Sequence, residues 1–249
     1  MQEHEAVLDV EDVAVSFDGR PVLRGVSLQL CDGELVSLLG ASGGGKTTLF
    51  NVVSGLLAPD AGRVLLRGQD ITGATGHVSY MMQKDLLLES MRVADNVGLP
   101  LRLRGESKAQ ARAEALKLLP DFGLADAAQL WPSQLSGGMR QRAALARTYL
   151  ASRDVLLLDE PFSALDAFTK ADMHRWFMAT QRRLGLSVLF VTHDIDEAVL
   201  LSDRILVLKD GLIAGEVPVI RPQKAEAPED FSLTEQFLEA KRQVRALLA

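Results

Sequence analysis

Residues 35–55 read LVSLLGASGGGKTTLFNVVSG, and three kinds of sequence follow one another within them. LVSLL (35–39) is a continuous apolar run of the length and type that suits a strand covered on both faces. GASGGGKT (40–47) fits the pattern G-x-x-x-x-G-K-[ST]. Residues 46–54 continue as a helical pattern that stops at Gly55, a natural C-terminal cap. The order carries the chemistry: the strand aims the loop, and the helix N-terminus adds about half an elementary unit of positive charge. Backbone N–H groups from Gly43 to Thr48 can then surround phosphates, Lys46 can reach the β and γ oxygens, and Thr47 can offer its hydroxyl to Mg²⁺. A chance lysine in a surface loop would lack this strand and this helix.

The same two textures recur along the chain. Residues 6–16 and 22–30 alternate apolar and polar positions as half-buried strands do, and 64–67 reads as another strand after the turn Pro59-Asp60-Ala61-Gly62. Runs without alternation return at 155–158 (VLLL) and 188–191 (VLFV), which predicts central strands of a mostly parallel sheet. Residues 85–150 carry almost no strand signal; within them 107–119 begins with Ser107 and Gln110 at capping-box spacing and ends before Pro120. This stretch is expected to be a helical insertion in an α/β domain. Residues 204–208 and 212–216 read as a hairpin turning at Asp210-Gly211. A joint rich in proline and charge, 221–230, leads to a tail helix over 232–248 with Phe237, Val244, Leu247 and Leu248 on one apolar stripe.

A phosphate loop needs an acid to hold the magnesium shell, at the end of a neighbouring strand. VLLLDEP supplies Asp159 for that task, through water, and Glu160 immediately after it to orient or deprotonate an attacking water. SALD (163–166) matches a helix capping box, a structural reading that stands beside any functional one. His193, in FVTHD, follows the last buried strand, where its ring can hydrogen-bond a terminal phosphate. LSGGMRQR (135–142) resembles the mouth of a second phosphate loop from which the lysine is missing.

Together these motifs resemble the ATP-binding subunits of ABC transporters, over residues 6 to about 217. GASGGGKTT, from Gly40 through Ala41, Ser42, Gly43, Gly44, Gly45, Lys46 and Thr47 to Thr48, is similar to the family's Walker A loop. VLLLDEP resembles its Walker B strand with the catalytic glutamate at Glu160, SALD its D-loop ending in Asp166, and His193 its switch histidine. Gln83 in YMMQKD resembles the Q-loop glutamine, which implies contact with Mg²⁺ and nucleotide. Phe17, ahead of Asp18-Gly19, stands where the family stacks an aromatic on adenine, and replaces the commoner tyrosine. LSGGMRQR resembles the signature motif, with Met139 where glutamine is frequent.

The resemblance implies a P-loop NTPase fold, with a RecA-like core of mostly parallel sheet, an N-terminal antiparallel β subdomain and an inserted α-helical subdomain. The implied divisions are one ATPase domain over 1–220, its core at 1–84 and 151–220, its helical part at 85–150, and a C-terminal helical tail at 221–249. It also implies a head-to-tail dimer in which Ser136, Gly137 and Gly138 of one subunit close over ATP held by the loop of the other. The missing lysine is then supplied from across the interface. Transmembrane transporter subunits are the implied partners, with a solute-binding protein engaged indirectly and the chain peripheral on the cytoplasmic face of the membrane. YMMQKDLLL and LSGGMRQR look most like ATPases of nitrate, sulfonate and taurine-type importers, a group that includes thiamine-precursor importers. An exporter or lipid-transport ATPase is the alternative.

Composition narrows the classes. The 249 residues are 47% hydrophobic and 24% charged, an ordinary globular balance, with a net charge of −6. That acidity argues against nucleic acid as the partner, because phosphate backbones are held by basic faces. A soluble ABC-type ATPase acting on DNA or ribosomes would bring fused cassettes, long coiled coils or zinc-binding cysteines, and this chain has one cysteine, Cys31. That residue reads as a small packed hydrophobe in a reducing compartment. A kinase or GTPase would not need LSGGM, and no N-K-x-D stands in the sequence. The acidic start, MQEHE, lacks the basic region of a signal peptide, and no apolar run reaches the roughly 20 residues that span a bilayer.

Overall fold

A computed structural model describes residues 6–152, 154–222 and 228–249, with the backbone alone at Pro228 and Glu229. The acidic start and the middle of the joint before the tail therefore lie outside the described residues.

The ten strands among the described residues are β1 (Ala6–Phe17), β2 (Arg20–Cys31), β3 (Leu35–Leu39), β4 (Ala61–Leu66), β5 (Gln69–Asp70), β6 (Ser79–Met81), β7 (Val155–Asp159), β8 (Ser187–Val191), β9 (Arg204–Lys209) and β10 (Leu212–Pro218). Helices α1 (Lys46–Val53), α2 (Val93–Val97), α3 (Leu99–Leu103), α4 (Lys108–Leu118), α5 (Gly137–Ala151), α6 (Ala167–Leu184), α7 (Ile195–Leu201), α8 (Pro228–Ser232) and α9 (Glu235–Leu248) lie between and after them.

The three apolar runs are adjacent strands. The larger sheet runs β10-β9-β3-β8-β7-β6, parallel throughout except for the antiparallel edge strand β10. Side chains in a strand alternate between faces, so a run apolar at every position needs a core on each side. In β7, Val155 and Leu157 enter one core while Leu156 and Leu158 enter the other; in β8, Leu189 and Val191 separate from Val188 and Phe190 in the same way. One core is closed by α1 and the antiparallel sheet, through Leu49, Phe50, Val10 and Val26. The other is closed by α5, α6 and the helices of 93–118, through Val97, Ala115, Leu145 and Phe177. Fully burying a Leu or Phe side chain contributes about 1.5–3 kcal/mol, so a core on each face fastens the sheet to its covers.

The smaller sheet, β2-β1-β4-β5, is antiparallel. Its first hairpin turns at Asp18 (φ 50°) and Gly19 (φ 74°), two residues suited to the paired positive φ of a type I′ turn. Asp210 (φ 51°) and Gly211 (φ 77°) turn the β9–β10 hairpin in the same way. Ser107 caps α4 with the reciprocal bonding to Gln110 that the sequence predicts.

Some features depart from the sequence reading: β4 begins at Ala61, within the turn expected over 59–62, and the two residues of β5 showed no strand pattern. Strand β6 carries no legible pattern, because three residues pairing β7 at the sheet edge are too few to show a period. The tail helix begins at Glu235 instead of 232, because the Thr234 hydroxyl accepts the Phe237 N–H (3.3 Å) and starts a separate helix after α8. Its Phe237 and Val244 are buried, joined by Ala240, with Leu247 and Leu248 partly buried beside them.

Candidate functional site

The loop after β3 is shaped by two glycines. Gly40 passes so close to β9 that a β-carbon there would lie 2.4 Å from the Leu208 carbonyl oxygen. Gly45 holds φ +98° as the residue before α1, with Leu23 packed where a side chain would go. Between them Ala41, Ser42 and Gly43 are exposed, and Gly44 donates its N–H to the Ala41 carbonyl (3.0 Å). Thr47 is exposed and Thr48 half-buried on the first turn of α1. Lys46 is buried, and its ammonium donates to the carbonyls of Gly40 (2.8 Å) and Ala41 (2.9 Å). Burial lowers its pKa while the charges of Glu160 and Asp159 oppose that shift. A buried cation held by neutral carbonyls, at a loop of exposed N–H groups, is a site for an anion. A cleft of 580 Å³ adjoins this loop, lined by Pro21, Val22, Arg24 and the β9–β10 turn.

The acids arrive at the same carboxyl edge of the sheet, the edge at which parallel sheets bind ligands. Asp159 ends β7 and accepts a hydrogen bond from the Tyr80 hydroxyl (3.2 Å) on β6. Burial pushes the Asp159 carboxyl up, and the Tyr80 bond and the Lys46 charge pull it back. Burial and the adjoining carboxylate raise the Tyr80 phenol well above its ordinary range, so it remains a donor. Glu160 leaves the strand at φ 46°, its N–H donated to the Val191 carbonyl (2.9 Å). Its carboxylate lies between two other candidate residues. Gln83 donates its amide to one oxygen (3.2 Å), and the His193 Nδ1 stands 3.2 Å from the other. The three line one 780 Å³ cleft with Asp85, Arg140, Gln141 and Ser163.

A second group forms elsewhere. Ser136 caps α5 by accepting the Met139 N–H (3.3 Å), and Asp166 caps α6 by accepting from Phe168 and Thr169 (both 3.1 Å). The two helix starts are side by side: a β-carbon on Gly138 would lie 3.2 Å from Thr169, and one on Gly137 would lie 3.4 Å from Leu165. Ser136 and Gly137 are exposed, Gly138 is buried, and Met139 packs on the helical core. Phe17 stands half-exposed at the β1–β2 turn. The fold thus gathers Lys46, Asp159, Glu160, Gln83 and His193 along one edge, and places the exposed Ser136, Gly137 and Asp166, with the buried Gly138, in a second group at the heads of α5 and α6.

Three participants escape the sequence reading. Tyr80 sits three residues before Gln83, yet its partner Asp159 comes from a distant segment. Gln141, within LSGGMRQR, is buried and donates to the Pro161 carbonyl, tying α5 to the Glu160 turn. Arg140 grips Asp85 with two hydrogen bonds (2.9 and 3.0 Å), joining the signature-like helix to the segment after Gln83. Tyr80 and Asp85 stand within YMMQKD, but only pairing across the fold gives them a role.

Known proteins match this arrangement. A formylaminopyrimidine import ATP-binding protein of Halalkalibacterium halodurans is 38% identical over 97% of this chain and 96% of its own length. An aliphatic sulfonates import ATP-binding protein of Cupriavidus necator is 44% identical over 88% of this chain and 72% of its own. The solved dimer of the ATP-binding cassette MJ0796, bound to ADP and Pi in a post-hydrolysis state, superposes with a TM-score of 0.73 at 29% identity, covering 86% of this chain and 99% of that one. Residues 23–163 match the ABC transporter family. With the phosphate loop, the acid pair and the signature-like helix in place, the chain belongs to the ABC transporter family of ATP-hydrolysing cassettes.

Proposed function

We propose that this ATPase drives solute import by membrane subunits, through a head-to-tail dimer that closes over two ATP molecules. The observation that carries the reading is Glu160, held between Gln83 and His193 on the same sheet edge as Lys46 and Asp159. In one subunit, the loop N–H groups and Lys46 hold the phosphates; Lys46 exchanges the two carbonyls it now touches for phosphate oxygens. Phe17 stacks on the adenine. Across the interface, the exposed Ser136 hydroxyl and the N–H groups at the head of α5 meet the γ-phosphate, with Asp166 beside them. Glu160 takes a proton from the attacking water or orients it, and His193 fixes both Glu160 and the transferred phosphate. The differential affinity of ATP for the closed dimer supplies the driving force, and release of phosphate reopens it.

The donor set suits Mg²⁺. Thr47 and Gln83 offer neutral oxygens and Asp159 a carboxylate, and the described residues contain no cluster of three or more His, Cys, Asp or Glu that would form a complete metal cage. Mg²⁺ is commonly bound by one or two carboxylates together with substrate phosphates. When bound it neutralises charge on the β- and γ-oxygens.

Relatives named as importers of formylaminopyrimidine and aliphatic sulfonates support import of a small organic solute. No helix among the described residues is long and apolar enough to cross a membrane, which accords with a peripheral subunit on the cytoplasmic face that works through membrane partners and, indirectly, a solute-binding protein. Phe168, 89% exposed beside Asp166, adds an apolar patch to the surface the dimer would cover. Replacing Lys46 with Ala tests the phosphate site: nucleotide binding, followed with a fluorescent ATP analogue, should weaken by on the order of 100-fold or more, as expected for loss of a buried charge-assisted contact. Unchanged affinity and turnover would remove the loop from the site.

A further inference from the structure

Glu197 is buried on α7 and takes no part in the reaction proposed above. Its side chain is 3% exposed and carries three partners. One oxygen accepts from His174 Nε2 (2.9 Å) and Lys170 Nζ (3.0 Å), both on α6. The other accepts from the Thr192 hydroxyl. Hydrogen bonds from His174 and Thr192 and the Lys170 charge outweigh burial and hold this carboxyl below its ordinary range, so it stays ionised.

The two chain neighbours of His193 are fixed by this network. Thr192 donates to Glu197, and its oxygen accepts the Asp194 N–H (3.1 Å). Asp194 caps α7 with one oxygen and takes Lys170 (3.1 Å) with the other. His193 between them is exposed, with its Nδ1 directed at Glu160. The Glu160 turn is tied to the same cluster: the Phe162 ring meets the His174 ring edge-on at 5.1 Å, and the Glu160 N–H bonds to the carbonyl of Val191, the residue before Thr192. Helix α6, which supplies Lys170 and His174, is capped by Asp166.

We propose that Glu197 is a positioning residue: through Thr192 and Lys170 it sets the turn that aims His193 at Glu160, and it locks that turn to the helix headed by Asp166. An apolar cluster of equal volume would serve packing as well, since buried ion pairs contribute little net stability. A saturated carboxylate defines direction, because each donor meets one oxygen at one angle. The inference rests on the role proposed for His193.

The test uses the purified full-length chain with Thr192→Val and Glu197→Gln, each alone and combined with His193→Ala. ATP affinity should stay within about twofold of the parent, because neither residue belongs to the phosphate loop. Single-turnover hydrolysis should fall by about 10- to 100-fold, the scale of a misplaced reacting group. Each double variant should hydrolyse no more slowly than His193→Ala alone. The ring nitrogen resonances of His193 should move toward those of a free imidazole in both single variants. Thr192→Val keeps size and shape, so it preserves the test if Glu197→Gln fails to fold. Losses that multiply with His193→Ala, or unchanged turnover with unchanged His193 resonances, would overturn the proposal. Parental turnover in His193→Ala would refute the role of His193 itself, and the resonances would still report on positioning.

Discussion

Lys46 and Asp159 show how burial divides labour among residues of ordinary chemistry. The lysine is depressed by burial and seeks an anion; the aspartate is raised by burial and kept usable by the Tyr80 hydroxyl. Removing that hydroxyl should therefore move Asp159 further up. The sign follows because the lost bond stabilises only the ionised form. In Tyr80→Phe free of nucleotide and Mg²⁺, the Asp159 carboxyl, followed by its side-chain carbon resonance, should titrate at higher pH than in the parent. A shift toward lower pH, or none, would contradict the coupling. Lys46 and Thr47 were legible because their motif is contiguous and flanked by a strand and a helix. Tyr80 and Gln141 were not, since each acquires its role from one partner more than a dozen residues away.

At the scale of elements, legibility followed the number of residues that repeat a pattern. Strands β3, β7 and β8 stood out because both faces are covered, which leaves no polar position to interrupt the run. Strand β6 was silent at three residues. Helix α9 was legible as an apolar stripe, but its start depended on the Thr234 cap. One of its buried anchors is Phe237, which meets Phe231 edge-on at 5.4 Å and lies under the Lys241 ammonium at 5.5 Å. Phe237→Ala should lower stability by about 3–5 kcal/mol, the range for emptying a buried aromatic position. Denaturant unfolding checks this, and a change below about 1 kcal/mol would mean that the tail contributes little to the fold.

For the whole molecule, buried and partly buried ion pairs tie stability to ionised carboxylates. Burial would raise Asp85, Asp194 and Glu197, yet hydrogen bonds and the charges of Arg140 and Lys170 leave all three below their ordinary values. A lowered folded-state pKa means stability that is present above the ordinary value and lost as pH falls through the folded one. Asp159, which is raised, works in the opposite sense, but alone against three. The denaturant midpoint should hold near neutrality and decline once pH drops below 4.5, the ordinary value for a glutamate. A midpoint that rose on acidification would contradict this balance. The division of the candidate residues into two groups is the other property of the whole: in the proposed dimer, the Glu160 cleft of one copy and the heads of α5 and α6 of the other would form one site. In the sequence, LSGGMRQR showed only a phosphate-type loop without its lysine; the side-by-side packing of Gly138 on Thr169 emerged in three dimensions.

Glu160→Gln isolates the proposed composite site, because the amide keeps the shape of the carboxylate while losing its basicity. The mass of this variant in solution, measured by light scattering with ATP and Mg²⁺ and again with ADP, gives the most direct answer. A dimer is expected in ATP, a monomer in ADP, and turnover reduced by on the order of 100-fold or more, the contribution of a general base. A monomer in ATP that still binds the nucleotide, or a dimer that hydrolyses at the parental rate, would contradict it.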